Sequence, residues 1–235
     1  CAPLETIDRY QVDNKDYSSD TGTENEEDWV KKAFIRDRLT KQIEAGGGKV
    51  YTDFNEIPQG EYKSTKLITN VPNTTAKTLL CLSVGIPVYN HNWIIRCCQE
   101  GKIVNPAEDE LPTGWSLDKQ SYVEMFRRSS NKPLTQVVVI IPVVESERQF
   151  ISFWRQICEN IGAVVLLPDK PDPMEGFDDG TVVLTNRSCP SWAVERATEL
   201  QIPLLSTTWV VQCLIEGKVC PYNSQIRYKY NYIQN

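Results

Sequence analysis

The sequence predicts an α/β chain made of two copies of one fold, each a small parallel four-stranded sheet flanked by helices, the copies packed side by side. Three observations carry that expectation. Residues 86–106, IPVYNHNWIIRCCQEGKIVNP, return as 202–222, IPLLSTTWVVQCLIEGKVCPY. At an offset of 116, Ile86, Pro87, Trp93, Cys97, Glu100, Gly101 and Lys102 meet Ile202, Pro203, Trp209, Cys213, Glu216, Gly217 and Lys218. The same offset lays TKLITN (65–70) on TVVLTN (181–186). Finally, β-branched runs alternate with helix-period segments, the pattern of buried parallel strands joined by helical crossovers.

In the second copy, QVVVIIPVV (136–144) reads as a strand covered on both faces. Phe150, Phe153, Trp154, Ile157 and Ile161 then recur at helical spacing, and Gly162 ends that helix. AVVLLP is a short strand, 169–180 a polar loop and TVVLT the next strand. Pro190 to Gln201 reads as a helix with proline at its start. IPLLS is the last strand, and TWVVQCLIEGK a helix with Trp209 and Cys213 one turn apart on one face. In the first copy a helix is expected over roughly 29–45, ending at Gly46–Gly48, and GKV (48–50) answers GAV (162–164) at an offset of 114. An opening strand is not obvious there. The organisation expected is 1–106 for the first copy, with an acidic insertion at 13–28, then a linker 107–134, then 135–235 for the second copy. Trp93, Cys97, Trp209, Cys213, Gly47 and Gly162 are expected to be structural, the tryptophans and thiols holding helix to sheet.

The composition excludes several classes. The chain has 235 residues, 40% hydrophobic and 9% aromatic, enough to bury real cores. Its net charge of −6 is local: 13–28 holds seven acids against Lys15, leaving 24 acids and 24 bases elsewhere. A neutral folded part argues against a protein built to wrap DNA, whose phosphates demand clustered Lys and Arg. With no run of about 18 apolar residues and no signal-like start, neither a membrane nor a secreted chain is expected. Eight cysteines show no C-x-x-C pair and stand beside a single histidine, His91, so no metal and no cofactor is expected. The thiols read as reduced, in a nuclear or cytosolic compartment. One histidine precludes most catalytic triads, and GGG at 46–48 ends a helix where a dinucleotide fingerprint would open one. No catalytic residue stands out, and the chain reads as a non-enzyme.

The W-x-x-x-C pair in the last helix, the glycine after the first helix and the tandem of about 100 residues per copy resemble BRCT repeats. The resemblance covers residues 30–235 and is closest to the C-terminal BRCT pair of a double-strand-break checkpoint mediator. It rests on DFNE (53–56), LCLSVGIP (80–87), LPTGWSL (111–117), SCP (188–190), WVVQCLIEG (209–217) and YKYNY (228–232). The resemblance implies a nuclear, non-catalytic module that reads a phosphorylated partner, a histone tail first, in the first repeat and the groove between repeats. In that family a phosphate meets a Ser/Thr-Gly pair after the first strand and a lysine opening the second helix of the first repeat.

The residues of NTTAKTLLCLSVG (73–85) read independently as a helix start, with Thr74 or Thr75 as N-cap. Lys77 falls in the first turn, where the helix dipole alone favours an acid. A cation beside free backbone N–H groups fits an awaited phosphate, and a solvated surface lysine is the plain alternative. The resemblance makes Lys77 the phosphate ligand, with Thr74 and Thr75 as hydroxyl candidates. Ala193 stands at the matching place in the second repeat. The family's arginine three residues before the lysine is Thr74 here. CAPLET (1–6) resembles the tail of the family's first strand and the residues just after it, placing the phosphate-binding glycine just before Cys1.

Two segments remain. The acidic stretch 13–28 lacks apolar periodicity and reads as a mobile loop, its Ser18, Ser19, Thr21 and Thr23 open to an acid-directed kinase. On the linker, Trp115, Tyr122, Met125 and Phe126 read first as aromatic and apolar pins onto the repeats. The resemblance offers another role, contact with a tumour-suppressor transcription factor through Trp115, Tyr122, Phe126, Arg127 and Arg128. Arg127, Arg128 and Lys132 form too small a basic patch to argue for nucleic acid, so direct DNA-end binding is the weakest alternative.

Overall fold

The computed structural model describes residues 34–125, 132–170 and 181–231. CAPLET, the acidic stretch 13–28, the expected helix start at 29–33, Phe126, Arg127, Arg128 and residues 171–180 of the expected polar loop lie outside the described residues. The chain divides into two compact units. Described residues up to Gly114, with Tyr122–Met125, form the first; Trp115–Ser121 and the chain from Lys132 onward form the second.

The first unit runs α1 (Arg36–Ala45), β1 (Leu67–Thr69), α2 (Ala76–Ser83), β2 (Val88–Asn90) and α3 (Asn92–Glu100). β1 and β2 are parallel, Leu67 opposite Val88 and Thr69 opposite Asn90, with α2 as the crossover. Leu79, Ile86, Val88 and Leu111 are buried around it. α1 begins at Arg36, since Ile35 is extended (φ −113°, ψ 98°). Residues 49–51, aligned in sequence with a strand of the second copy, carry no ladder. In the second unit that strand bonds to the opening strand, and no opening strand of the first unit occurs among the described residues. A short hairpin, β3 (Gly114–Ser116) and β4 (Ser121–Val123), comes next.

The second unit shows the expected architecture complete. Its elements are β5 (Val138–Ile140), α4 (Arg148–Asn160), β6 (Val164–Leu166), β7 (Thr181–Thr185), α5 (Ser191–Glu199), β8 (Leu204–Ser206) and α6 (Thr207–Glu216). The four strands lie in the order β6-β5-β7-β8, all parallel. Both faces are covered, as the unbroken apolar runs require. Ile140 and Val183 pack with Ala197 of α5 and with Ile202. Alternation then turns Val139, Val182 and Leu184, all buried, toward the face where Cys158 of α4 lies near Cys213 of α6.

The repeated tryptophan and cysteine do one job twice. Trp93 Nε1 donates to the Val104 carbonyl at 2.9 Å, and the Val104 amide donates to Cys97 Sγ at 3.5 Å. At the offset of 116, Trp209 Nε1 donates to the Cys220 carbonyl at 2.8 Å, and the Cys220 amide to Cys213 Sγ at 3.2 Å. Each pair clamps the N–H and C=O of one residue in the chain that leaves its helix through Gly101 or Gly217, both left-handed (φ 62° and 66°). Burial differs, however. Trp209 and Cys213 are fully buried, whereas Trp93 and Cys97, expected in the same structural role, are only half-buried. α3 buries Ile94 alone, while α6 buries eight of its ten residues.

Gly162, at φ +102°, sits where a Cβ would come within 2.8 Å of Lys132 Cβ and 2.9 Å of Thr135 Oγ1. Gly47 (φ +81°) matches it one residue past the helix cap, as the bonds of Gly48 N to Ile43 O and Ala163 N to Cys158 O show. The structural offset at this helix end is therefore 115. Gly47 itself is exposed, so its structural part comes from backbone conformation and not from burial.

Candidate functional site

The first turn of α2 is built around a residue that the sequence pattern did not single out, Asn73. Thr75 is the N-cap, extended at φ −61°, ψ 157°, and its Oγ1 accepts from the Thr78 amide at 3.4 Å. Asn73 Oδ1 accepts from the Thr75 amide (3.3 Å), the Thr75 hydroxyl (3.0 Å) and the Thr78 hydroxyl (2.5 Å). Its Nδ2 donates to Thr69 Oγ1 at 3.2 Å and to the Val71 carbonyl at 3.1 Å, tying the helix start to the end of β1. The Asn-x-Thr spelling of an Asx turn before a cap was the available signal. Of the two hydroxyl candidates, Thr75 is thus committed to capping, and Thr74 is half-buried and engaged.

Lys77 is exposed on that first turn, which holds no acid. Its Nζ donates to the Thr52 carbonyl at 2.7 Å. Thr52 opens a tight turn in which Asp53 caps the Asn55 amide at 2.9 Å and Glu56 accepts from the Thr52 amide at 2.9 Å. An ammonium has three donors and one is used here, so the lysine is held over the helix start with hydrogen-bonding capacity to spare. The amides of Ala76 and Lys77 have no helical carbonyl to bond. Together these give a positive end of a helix plus a cation, an arrangement that suits an oxyanion. Behind them Cys81 is buried, and burial pushes its thiol up to about 12, which removes it as a nucleophile.

The second unit treats the matching place differently. Ala193 on the first turn of α5 is fully buried. Asn186 Nδ2 and the Ser188 hydroxyl, both in the loop before α5, donate to the two carboxylate oxygens of Glu147 at 3.0 and 2.8 Å. This copy fills the loop with its own anion.

Linker residues Trp115–Lys119 lie on α6. Gln212 Oε1 accepts from the Leu117 amide at 2.9 Å, and its Nε2 donates to the Trp115 carbonyl at 3.0 Å. Tyr122 is half-buried and belongs to the first unit. Among the described residues no group of three His, Cys, Asp or Glu is placed to hold a metal, and no helix is long and apolar enough to cross a membrane.

Comparison with known proteins yields two family matches. The BRCA1 C Terminus (BRCT) domain matches residues 132–233, and the BRCT domain matches residues 29–110. Among solved structures, the BRCT5-BRCT6 domains of S. pombe Brc1 are 16% identical over 87% of this chain and 95% of that one, with a TM-score of 0.52. Yeast Rtt107p, solved in complex with phosphorylated histone H2A, is 12% identical over 83% of this chain and 87% of that one, with a TM-score of 0.55. A second structure of Rtt107p gives 13% identity, 88% of each chain and a TM-score of 0.50. At these identities the likeness is one of fold.

Proposed function

We propose, for a chain that belongs to the BRCT family in both of its halves, that it is a non-catalytic module of a nuclear DNA-damage protein that docks a phosphorylated partner. BRCT domains are in general non-catalytic interaction modules, and the relatives in fold come from DNA-damage proteins. The finer assignment is to the C-terminal pair of the p-fifty-three-binding checkpoint mediator, with a phosphoserine histone tail as the ligand. The observation that carries the reading is Lys77, an exposed cation on the acid-free opening turn of α2, held there by the Thr52 carbonyl. In this reading Lys77 and the Ala76 and Lys77 amides take the phosphate, Thr75 keeps the turn in shape, and Thr74 lies beside it. The second repeat takes no phosphate, because Ala193 replaces the lysine and Glu147 occupies the donors of its loop. Rtt107p in complex with phosphorylated histone H2A supports the ligand class for a chain of this fold.

Fluorescence anisotropy with a labelled Ser-x-x-aromatic peptide, phosphorylated and plain, tests this. The phosphopeptide is expected to bind and the plain one not, and Lys77→Met is expected to weaken binding by about tenfold or more, the worth of one charge-assisted bond. Equal binding of both peptides, or no effect of Lys77→Met, would overturn it. A second reading is phosphate-independent docking of a folded partner such as a tumour-suppressor transcription factor on the linker and first repeat, the linker being held in one form where Trp115 and Leu117 bond Gln212. That binding would survive Lys77→Met. Direct DNA-end binding would instead collapse between low and moderate salt.

A further inference from the structure

The linker seat contains a buried charge whose direct counter-charge is one accessible side chain. Gln212 and Glu216 stand one turn apart on α6, and their counterparts on α3 are Arg96 and Glu100. On α3, Arg96 grips the chain just past its own helix, reaching Glu108, Asp109 Oδ2 at 2.9 Å and the Asn105 carbonyl at 2.9 Å, while Glu100 is exposed. On α6 the linker occupies that stripe. Besides the two Gln212 bonds, Gln225 Nε2 donates to the Leu117 carbonyl (3.2 Å) and to Asp118 Oδ1 (2.9 Å), and the Ser224 hydroxyl donates to Asp118 Oδ2 (3.2 Å). Covered in this way, the Glu216 side chain is only 2% exposed. Lys119 Nζ lies 2.7 Å from Glu216 Oε2, yet its own side chain remains 52% exposed. Lys119 beside it, the Ser116 hydroxyl and Lys218 from further off together keep the carboxylate ionised, and Lys119 is the cation in direct contact. Gln120, next to Lys119, has φ +52° and is exposed, which presents the lysine at a turn.

We propose that Lys119 is a modification site and a charge-controlled latch: acylation of its ε-amine releases linker residues 115–120 from α6. The donor class is an acyl thioester of the acyl-CoA type. An amide bond forms between Lys119 Nζ and the acyl carbon, and the thioester C–S bond breaks. Of the two protons the ammonium loses, one ends on the departing thiol and the other goes to solvent. Acylation leaves Glu216 buried with its cation neutralised, and the hairpin must open to readmit water. A surface lysine paired with an exposed acid has no such leverage, because solvent already screens its partner. The latch is independent of the phosphate site, since both partners belong to the second unit.

Acetyl-lysine placed at 119 in the full chain, compared with the unmodified chain by amide hydrogen exchange, tests it. Exchange at the Leu117 and Lys119 amides is expected to rise about tenfold or more, while β7 (Thr181–Thr185) stays protected. Lys119→Arg keeps the protection. Adding Glu216→Gln to the acetylated chain, which removes the stranded charge, restores it to within about threefold of the unmodified protein. Unchanged exchange on acetylation overturns the proposal. So does a loosening that extends to β7, or one that Glu216→Gln fails to reverse, since either would mean general destabilisation and not a released charge.

Discussion

Gln201 carries the left-handed conformation (φ +56°) that Gly85 holds in the first copy (φ +82°). Both close the end of a helix with the same backbone bond, Ile86 N to Cys81 O at 2.9 Å and Ile202 N to Ala197 O at 2.8 Å. A Cβ in this conformation costs about 1–2 kcal/mol, and glycine gives back about 0.5–1 kcal/mol through the freer unfolded chain. Gln201→Gly is therefore expected to stabilise the protein by about 0.5–1 kcal/mol, seen as a higher urea midpoint at unchanged slope. The thiols divide just as sharply. Burial pushes Cys81 up to about 12 and raises Cys158 and Cys213 as well, whereas Cys98 is exposed on α3. At pH 8 a thiol near 12 is ionised in only about one molecule in ten thousand. Among the described cysteines, iodoacetamide is expected to take Cys98 first and to leave Cys81, Cys158 and Cys213 untouched until denaturant is added, which intact mass and peptide mapping will read.

At the scale of elements, the start of α2 shows how a cap and a candidate site share residues. A cap at Thr74 or Thr75 was readable because Thr and Ser before an apolar run spell a helix start, and the structure chooses Thr75. Asn73, which organises Thr75, Thr78 and β1 together, was not singled out, since an asparagine two residues before a cap reads as loop until its partners are known. Asn73→Ala is expected to cost about 1–2 kcal/mol, as loss of a capping network does, measured by urea unfolding. Lys77→Met should leave that stability within about 0.5 kcal/mol, because Lys77 is exposed. The two variants thus separate holding the turn from reading a ligand. The helices α3 and α6 teach the complementary lesson. Their shared Trp-x-x-x-Cys and Glu-Gly-Lys identities predicted one local geometry and the clamps on Val104 and Cys220 match closely, yet the two helices differ in burial because different chain segments lie on them.

For the molecule as a whole, Glu216 links the linker seat to acid stability. Burial by itself would raise its carboxyl, but Lys119 and the Ser116 hydroxyl, with Lys218 beyond, outweigh burial and hold it below the usual range. A carboxyl lowered on folding stabilises the fold above its unfolded value, near 4.3, and loses that contribution as pH falls through the folded value. Wild type is therefore expected to lose stability below about pH 4.5 more steeply than Glu216→Gln. Urea midpoints between pH 7 and pH 3 will show whether the two curves converge toward acid.

The sequence by itself determined the two-copy plan, the parallel strands, the helix-ending glycines and the buried Trp209 and Cys213. These arise from burial and backbone preferences that repeat within a few residues, and an offset of 116 exposed them twice. Tertiary structure alone decided three other matters. It tied Lys77 to Thr52, 25 residues away, and set Gln212 against Leu117 across 95 residues. It also buried Glu216 while leaving its repeat partner Glu100 in solvent. The physical reason is common to all three. A polar side chain's role depends on which distant segment the fold brings within about 3 Å, and a local pattern carries no record of that segment.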